Sequence, residues 1–306
     1  FYDTNWFDAF EKLEVVDTQM IVPLPLQAKS NIFQAAVSHC ETMSTIANRK
    51  ERVALIGAIS GVSDQALIGN KLLAVEDIGI VEGIQGDDAE EILAGNIEDL
   101  QDFKLSNNFT SHRCIYFFPD QIVRSINGTN TAIDGYYVAA AAAGYLSSSQ
   151  NIAVPLTNKI LTGFNILRDK VYTQTVLNSL GNVGATVLQP VAGGGRVLAG
   201  RTTSNSGFIE DEEISIVFIR DRIKQVMRSS LQGFIGTVQD ASTNILIRAR
   251  VQTLLNSMVN KGLIENYEGV AVKRDKVDSR QINVYFRFVP TYPINYVFID
   301  IEVGIA

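Results

Sequence analysis

The order of apolar runs between Thr18 and Ile59 constrains the fold more than any single residue. Thr18 to Leu24 (TQMIVPL) is a short apolar run stopped by Pro23 and Pro25, as at a strand edge. Ser30 to Ala47 then sets Ile32, Phe33, Ala36, Val37 and Met43 near helical spacing, with Ser30 as a candidate N-cap. Arg52 to Ile59 (RVALIGAI) is a second apolar run of strand length, closed by Ser60 and Gly61. Strand, helix and strand at these lengths predict a βαβ unit in a parallel sheet. Cys114 to Phe118 (CIYFF), ended by Pro119, predicts another strand. Ile133–Leu146 and Val171–Leu180 read as helices, with a strand at Thr186–Gln189 between glycines 181, 184 and 193–195 and another at Arg196–Arg201 after them.

After Thr203 the composition shifts to a loop (SNSGFIEDEE), and the main boundary is expected there. The chain therefore divides into a central α/β domain over 1–205, with an insertion at about 61–110, and a C-terminal α+β domain over 206–306. In the second, Ile214–Ile219 (ISIVFI) reads as a strand and Asp221–Gly233 as a helix. Asp240 or Ser242 can cap a second helix, with Leu246, Val251, Leu254, Leu255 and Met258 underneath and Gly262 as its terminating glycine. Val270–Val272 begins a strand. Ile282, Val284, Phe286 and Phe288 alternate with Asn283, Tyr285 and Arg287, and Val297, Ile299, Ile301 and Val303 with Phe298, Asp300 and Glu302, the period of a half-buried strand.

Composition narrows the function. The 306 residues suit about two domains, and 46% hydrophobic content provides for a sizeable core. With 26 basic against 33 acidic residues the net charge is −7, which attracts neither nucleic acid nor an anionic membrane to the molecule as a whole. The most apolar stretch, Tyr136–Leu146, is short of the ~20 residues a membrane span needs. The chain opens at Phe1 without methionine or a secretory leader, and reads as a soluble, cytosolic piece of a longer polypeptide. The sequons at Asn108 and Asn127 read as accidental.

Chemistry-bearing patterns are few. A catalytic triad needs a histidine beside a nucleophile and a third, orienting group, and only His39 and His112 are present. Joined with Cys40 and Cys114 they could supply four zinc ligands, but HC and HxC spacings do not match the usual two-to-four-residue gaps. Gly193–Leu198 lacks the last glycine of G-x-G-x-x-G, no Walker sequence occurs, and Gly57–Gly61 has its serine one place late for a nucleophile elbow. No cofactor is expected, and an enzyme is disfavoured. The acidic stretch 76–102 reads as a solvated helix face rather than a cation loop. Basic residues collect at Arg220, Arg222, Lys224 and Arg228, then Arg248, Arg250 and Lys261; Lys224 and Arg228 fall on one helical face. That face is either solvated or a dock for an acidic protein surface; nucleic acid ranks third, because aromatic residues are not interleaved with those charges.

Four stretches in order resemble the contractile tail sheath proteins of myovirus-type phages and related injection machines. They are Gly135–Gly163, with Pro155 and Asn158 in a Pro-x-x-Asn segment; Leu177–Val187 (LNSLGNVGATV); Gly195–Thr202 (GRVLAGRT); and the tail ending in YPINYVFIDIEV. The resemblance covers about Thr18–Val303 and is weakest over 61–110. It implies a central domain with a subtilisin-like layout and no triad, and a structural, mechanical role. Such subunits form stacked hexameric rings around an inner tail tube, ended by a baseplate and a terminator, and they contract by rigid-body rearrangement. It implies a virion location after synthesis in the host cytoplasm. It also implies tube docking by Arg220, Lys224 and Arg228, and strand exchange through Val297, Ile299, Ile301 and Val303, although that strand could equally pair in its own sheet. The rivals are a hydrolase-like enzyme with an unrecognised site and another virion or baseplate component.

Overall fold

A computed structural model describes residues 3–24, 30–58, 110–149, 152–166, 177, 180–181, 184–295 and 297. The acidic stretch 76–102, most of the predicted helix 171–180, and Ile299, Ile301 and Val303 lie outside these. The elements in chain order are α1 (Asp3–Leu13), β1 (Met20–Ile21), α2 (Ser30–Met43), β2 (Val53–Gly57) and β3 (Cys114–Phe118). There follow β4 (Gln121–Ile126), β5 (Thr129–Asp134), α3 (Tyr136–Ser148), β6 (Ile160–Thr162), β7 (Asn165–Ile166), β8 (Ala185–Val191) and β9 (Gly194–Val197). The last are α4 (Ile209–Glu212), α5 (Ile214–Leu231), α6 (Ala241–Asn260), β10 (Ile264–Arg274) and β11 (Ile282–Pro290). The fold is mixed α/β, in two compact units: Phe1–Ser149 with Leu156–Ile214, and Gln150–Pro155 with Ser215–Ala306.

The first unit is built on a sheet of order β1-β2-β3-β8-β9-β6. Its first four strands are parallel, in the register Ala54↔Cys114 and Phe117↔Thr186, as the strand–helix–strand order predicted. Every residue of β2 and β3 is buried, the pattern of strands covered on both faces. Ile32, Phe33, Ala36, Val37, Cys40 and Met43 of α2 are all buried. Each fully buried large apolar side chain contributes about 1.5–3 kcal/mol relative to leaving it in water. At β8 the sheet reverses: β8–β9 and β9–β6 are antiparallel, joined by a tight turn with Gly193 at φ 74°.

A second sheet, β5-β4-β7, differs from the sequence expectation. The helix expected from Ile133 begins at Tyr136, and Ile133 and Asp134 end a hairpin strand instead. Asn127 and Gly128 take φ 52° and 80°, the left-handed pair a two-residue type I′ turn requires, and Ser125↔Asn130 and Ile126↔Thr129 pair across it.

The second unit packs α5 and α6 against the antiparallel pair β10–β11. Here the predicted strand at Ile214–Ile219 is overturned: these residues form the first turns of α5. All six, Ser215 included, are buried, so the run has no polar face and carries no helical period to betray it. The expected helix from Asp221 is the continuation of the same element. The expected strand at Arg196–Arg201 ends at Val197, with Arg201 making only an isolated bridge to Glu213. Within the loop after Thr203, Ile209–Glu212 is helical.

Helix α6 is bounded as its sequence predicted. The Asp240 carboxylate accepts from the Thr243 amide at 2.7 Å and the Ser242 hydroxyl at 2.8 Å. Those donors hold its carboxyl below the usual range. At the other end Gly262 takes φ 67°. Its amide donates to Val259 and that of Leu263 to Met258, the double bond of a Schellman cap. Val251, Leu255 and Met258 are buried, but Leu246 is 59% exposed and Ile247 takes the core position expected of it.

Candidate assembly surfaces

Three of the family-like stretches, far apart in sequence, meet at one point of the first unit. Asn158 adopts φ 63°, which asparagine tolerates better than most residues, and its amide donates to Val197 O at 2.7 Å. The Val197 amide returns a bond to Lys159 O at 2.8 Å. The buried Thr157 hydroxyl accepts from the Gly200 amide at 3.0 Å. Thr186, fully buried in β8, donates to Arg201 O at 2.8 Å and accepts from the Arg201 amide at 3.2 Å. Gly184 has φ 89°, and a side chain there would press on Thr203.

The knot is tied onward. The Thr202 amide donates to Glu212 O and its hydroxyl to Asp211 O. The Thr203 amide donates to Cys114 O on β3, and its hydroxyl bridges the Ser111 amide and carbonyl at 3.2 and 3.1 Å. The chain that leads out of the first unit is thereby fastened to the central sheet. The Arg201–Glu212 ion pair, at 3.9 Å and partly exposed, adds less than about 1 kcal/mol. Thr203→Val keeps the volume but leaves the buried Ser111 amide without that partner. It is expected to lower unfolding stability by about 1–3 kcal/mol, read from denaturant midpoints.

At the carboxyl ends of β2 and β3, the end of an open α/β sheet that takes ligands, the described backbone packs closely on itself. Gly57 ends β2 and Gly135 precedes α3. A Cβ on Gly57 would fall within 3.0 Å of the Tyr136 backbone, and one on Gly135 within 3.0 Å of Pro119 and Ala58 carbonyls. The Gly135 amide donates to Asp120 O at 2.6 Å. Cys40 and Cys114 are buried, and desolvation raises both thiols, that of Cys40 to about 12. His39 accepts from the Arg52 guanidinium at 2.7 Å. Among the described residues no group of three histidine, cysteine or carboxylate side chains could hold a metal ion. No helix among them is long and apolar enough to cross a membrane.

The second unit carries the remaining predicted residues. Arg220, Lys224 and Arg228 do form one row on α5, but the row adjoins the core row Ile219–Ile223–Met227. All three are accordingly half-buried, while Arg222 is exposed. Exposed apolar side chains that the sequence reading missed gather nearby in sequence: Ile235, Val238, Ile245 and Leu246.

In β10–β11, Val284, Phe286 and Phe288 pack on the core while Tyr285, Arg287 and Val289 are exposed. Both register irregularities, at Ile264/Asn266 and Glu268/Ala271, place the extra residue in β10. Bulges blunt an edge, so β11 is left with the regular outer edge, and no described strand pairs with it. Val297, the first residue of the expected exchange strand, is 76% exposed and outside any strand.

No protein-family model matches the chain. It is 25% identical over 178 residues to the tail sheath protein of Mycobacterium phage Bxz1, a match that takes in 56% of this chain and 30% of that protein. The match thus spans less than a third of that relative's length. A chain of the anti-feeding prophage baseplate superposes with a TM-score of 0.66 at 12% identity, covering 99% of this chain and 74% of that one. The anti-feeding prophage helical sheath in its contracted state gives 0.64 at 12% identity, with 98% and 74% covered. The sheath tail protein from Desulfitobacterium hafniense gives 0.62 at 12% identity, with 94% and 60% covered. At these identities the likeness to solved structures is one of fold. The resemblance read from the four stretches is therefore met by both comparisons: the chain has the mixed α/β fold found in contractile sheath and baseplate assemblies, and it is similar in sequence to a phage tail sheath protein.

Proposed function

We propose that this chain is the structural subunit of a contractile tail sheath. It polymerises as stacked hexameric rings around an inner tube and contracts by rigid-body rearrangement, driving the tube through the target envelope. One observation carries the reading: similarity to a named tail sheath protein coincides with a sheath-type fold over nearly the whole chain. Its role is structural rather than catalytic, and it works as a component of the virion. Its partners are copies of itself, the inner tube, the baseplate and a tail terminator.

The central domain, 1–205, with its subtilisin-like layout, acts as the rigid body. The hydrogen-bonded knot at Thr157, Thr186 and Arg201–Thr203 supports that role, because buried satisfied polar groups resist deformation. The C-terminal domain, 206–306, makes the links. Val297, Ile299, Ile301 and Val303 add as a strand to a neighbouring copy, and the regular edge of β11 supports its use as the receiver.

Arg220, Lys224 and Arg228 grip an acidic tube surface through contacts weak enough to release. Lys224→Glu with Arg228→Glu is expected to abolish co-sedimentation with the tube protein, while Arg222→Glu on the exposed side of α5 reduces it little. Unchanged co-assembly of the double variant, with its helical content intact, would remove the docking role. A baseplate component is the second reading, favoured by the likeness to a baseplate chain; bounded complexes in place of tubes would identify it.

A further inference from the structure

We propose that α1 is a strap held shut by the buried Arg52–His39 pair and released when His39 takes up a proton. The geometry is independent of the sheath reading. Among the described side chains of helix α1, Phe10 is the one buried, with Trp6 and Leu13 packed only partly on the same core. What fastens its carboxyl end is a guanidinium. Arg52 is fully buried, and its Nη1 donates to Leu13 O, the last residue of the helix, at 2.8 Å. Its Nη2 donates to Val16 O, and Nη1 also donates to His39 Nε2 at 2.7 Å. One cation thus ties the last carbonyl of the helix, which also accepts from the Val16 amide, to the turn that follows it.

The pair works only while His39 is neutral. A protonated imidazole is a donor on both nitrogens and a cation, so it can neither accept from Arg52 nor sit 2.7 Å from it. Burial, then the Arg52 charge, hold the His39 imidazole below its usual 6.5, opposed by Glu14. Among the described residues, the charges that act on it are those of Arg52 and Glu14. Glu14 follows α1, and its carbonyl is held by Lys50 Nζ at 2.5 Å. The Phe10 ring of α1 lies 5.6 Å from the imidazole and offers a cation only weak compensation. Opening the strap would relieve the burial, the larger of the two causes, and so raise the proton affinity of His39. The closed state therefore binds fewer protons than the open one, and acidification favours opening. Below about pH 6.5 each pH unit raises the open population by up to about tenfold, until the closed-state affinity is reached.

The test has a built-in reporter, since Trp6 on α1 is the chain's one tryptophan. Its fluorescence should shift to the red between pH 8 and 4.5 with a midpoint below 6.5. Amide exchange over residues 8–13, corrected for intrinsic rates, should quicken by about tenfold or more across the same range. In His39→Asn, which keeps an acceptor for Arg52 but cannot be protonated, both changes should disappear. In Arg52→Met the strap should be open already at pH 8. A flat Trp6 signal in the parent chain, or the same midpoint in His39→Asn, would overturn the proposal. Should Arg52→Met fail to fold, the His39→Asn comparison decides alone.

Discussion

Gly57→Ala is expected to destabilise the first unit by about 3 kcal/mol or more, the upper end of what overpacking a core costs. The reason lies in backbone rather than side chain. The nearest atoms to a methyl on Gly57 are the Tyr136 Cα, the Gly135 carbonyl and the Tyr136 amide, all inside 3.0 Å. No rotamer change can clear them. Either β2, itself wholly buried, slides against its neighbours, or α3 lifts off and exposes Tyr136, Val138, Ala139 and Ala142. Gly144, in the same helix, meets nothing within 4 Å and is the matched control. Gly144→Ala should be neutral or slightly stabilising, because alanine is the better helix former by about 1 kcal/mol. A Gly57→Ala midpoint within error of the parent would contradict the described closure of the sheet by α3.

Ending the chain at Asn295 is expected to leave both units folded and to abolish self-assembly. The deletion removes Val297, Ile299, Ile301 and Val303, the proposed donor strand, and spares every element whose packing is described. A strand of that length contributes roughly six intersubunit backbone hydrogen bonds at about 1 kcal/mol net each, enough to govern assembly. A synthetic peptide spanning Tyr292–Val303, added in excess, should block assembly of the intact chain by occupying the β11 edge. Tubes formed by the shortened chain would refute strand exchange. A large loss of thermal stability in the monomer would instead mean that this strand pairs within its own subunit.

Much of the first unit was legible from pattern alone. The βαβ order over Thr18–Ile59 predicted the parallel pair β1–β2, and the helical stripe Ile32–Met43 became the buried face of α2. At α6 the glycine cap could be read directly and the N-cap narrowed to Asp240 or Ser242, of which Asp240 is the cap, since both ends work through local backbone geometry. The misses have physical causes. Ile214–Ile219 has strand composition, but a helix buried all round shows no amphipathic period, so tertiary burial overrode propensity. The β4–β5 hairpin carried its signal in plain view at Asn127-Gly128, which the sequence reading treated as part of a sequon. Leu246 was placed one residue out of phase with Ile247, and the exposed apolar group around it went unseen. The basic row on α5 was correct in spacing, but only packing could reveal that it borders the core.

The most direct test of the sheath reading is electron microscopy of the purified protein, concentrated alone and again with the tail-tube protein of the same genome. The account predicts hollow tubes or stacked six-fold rings, with the tube inside them in the second sample. Monomers or bounded particles in both samples, at concentrations where the fold is intact, would contradict it.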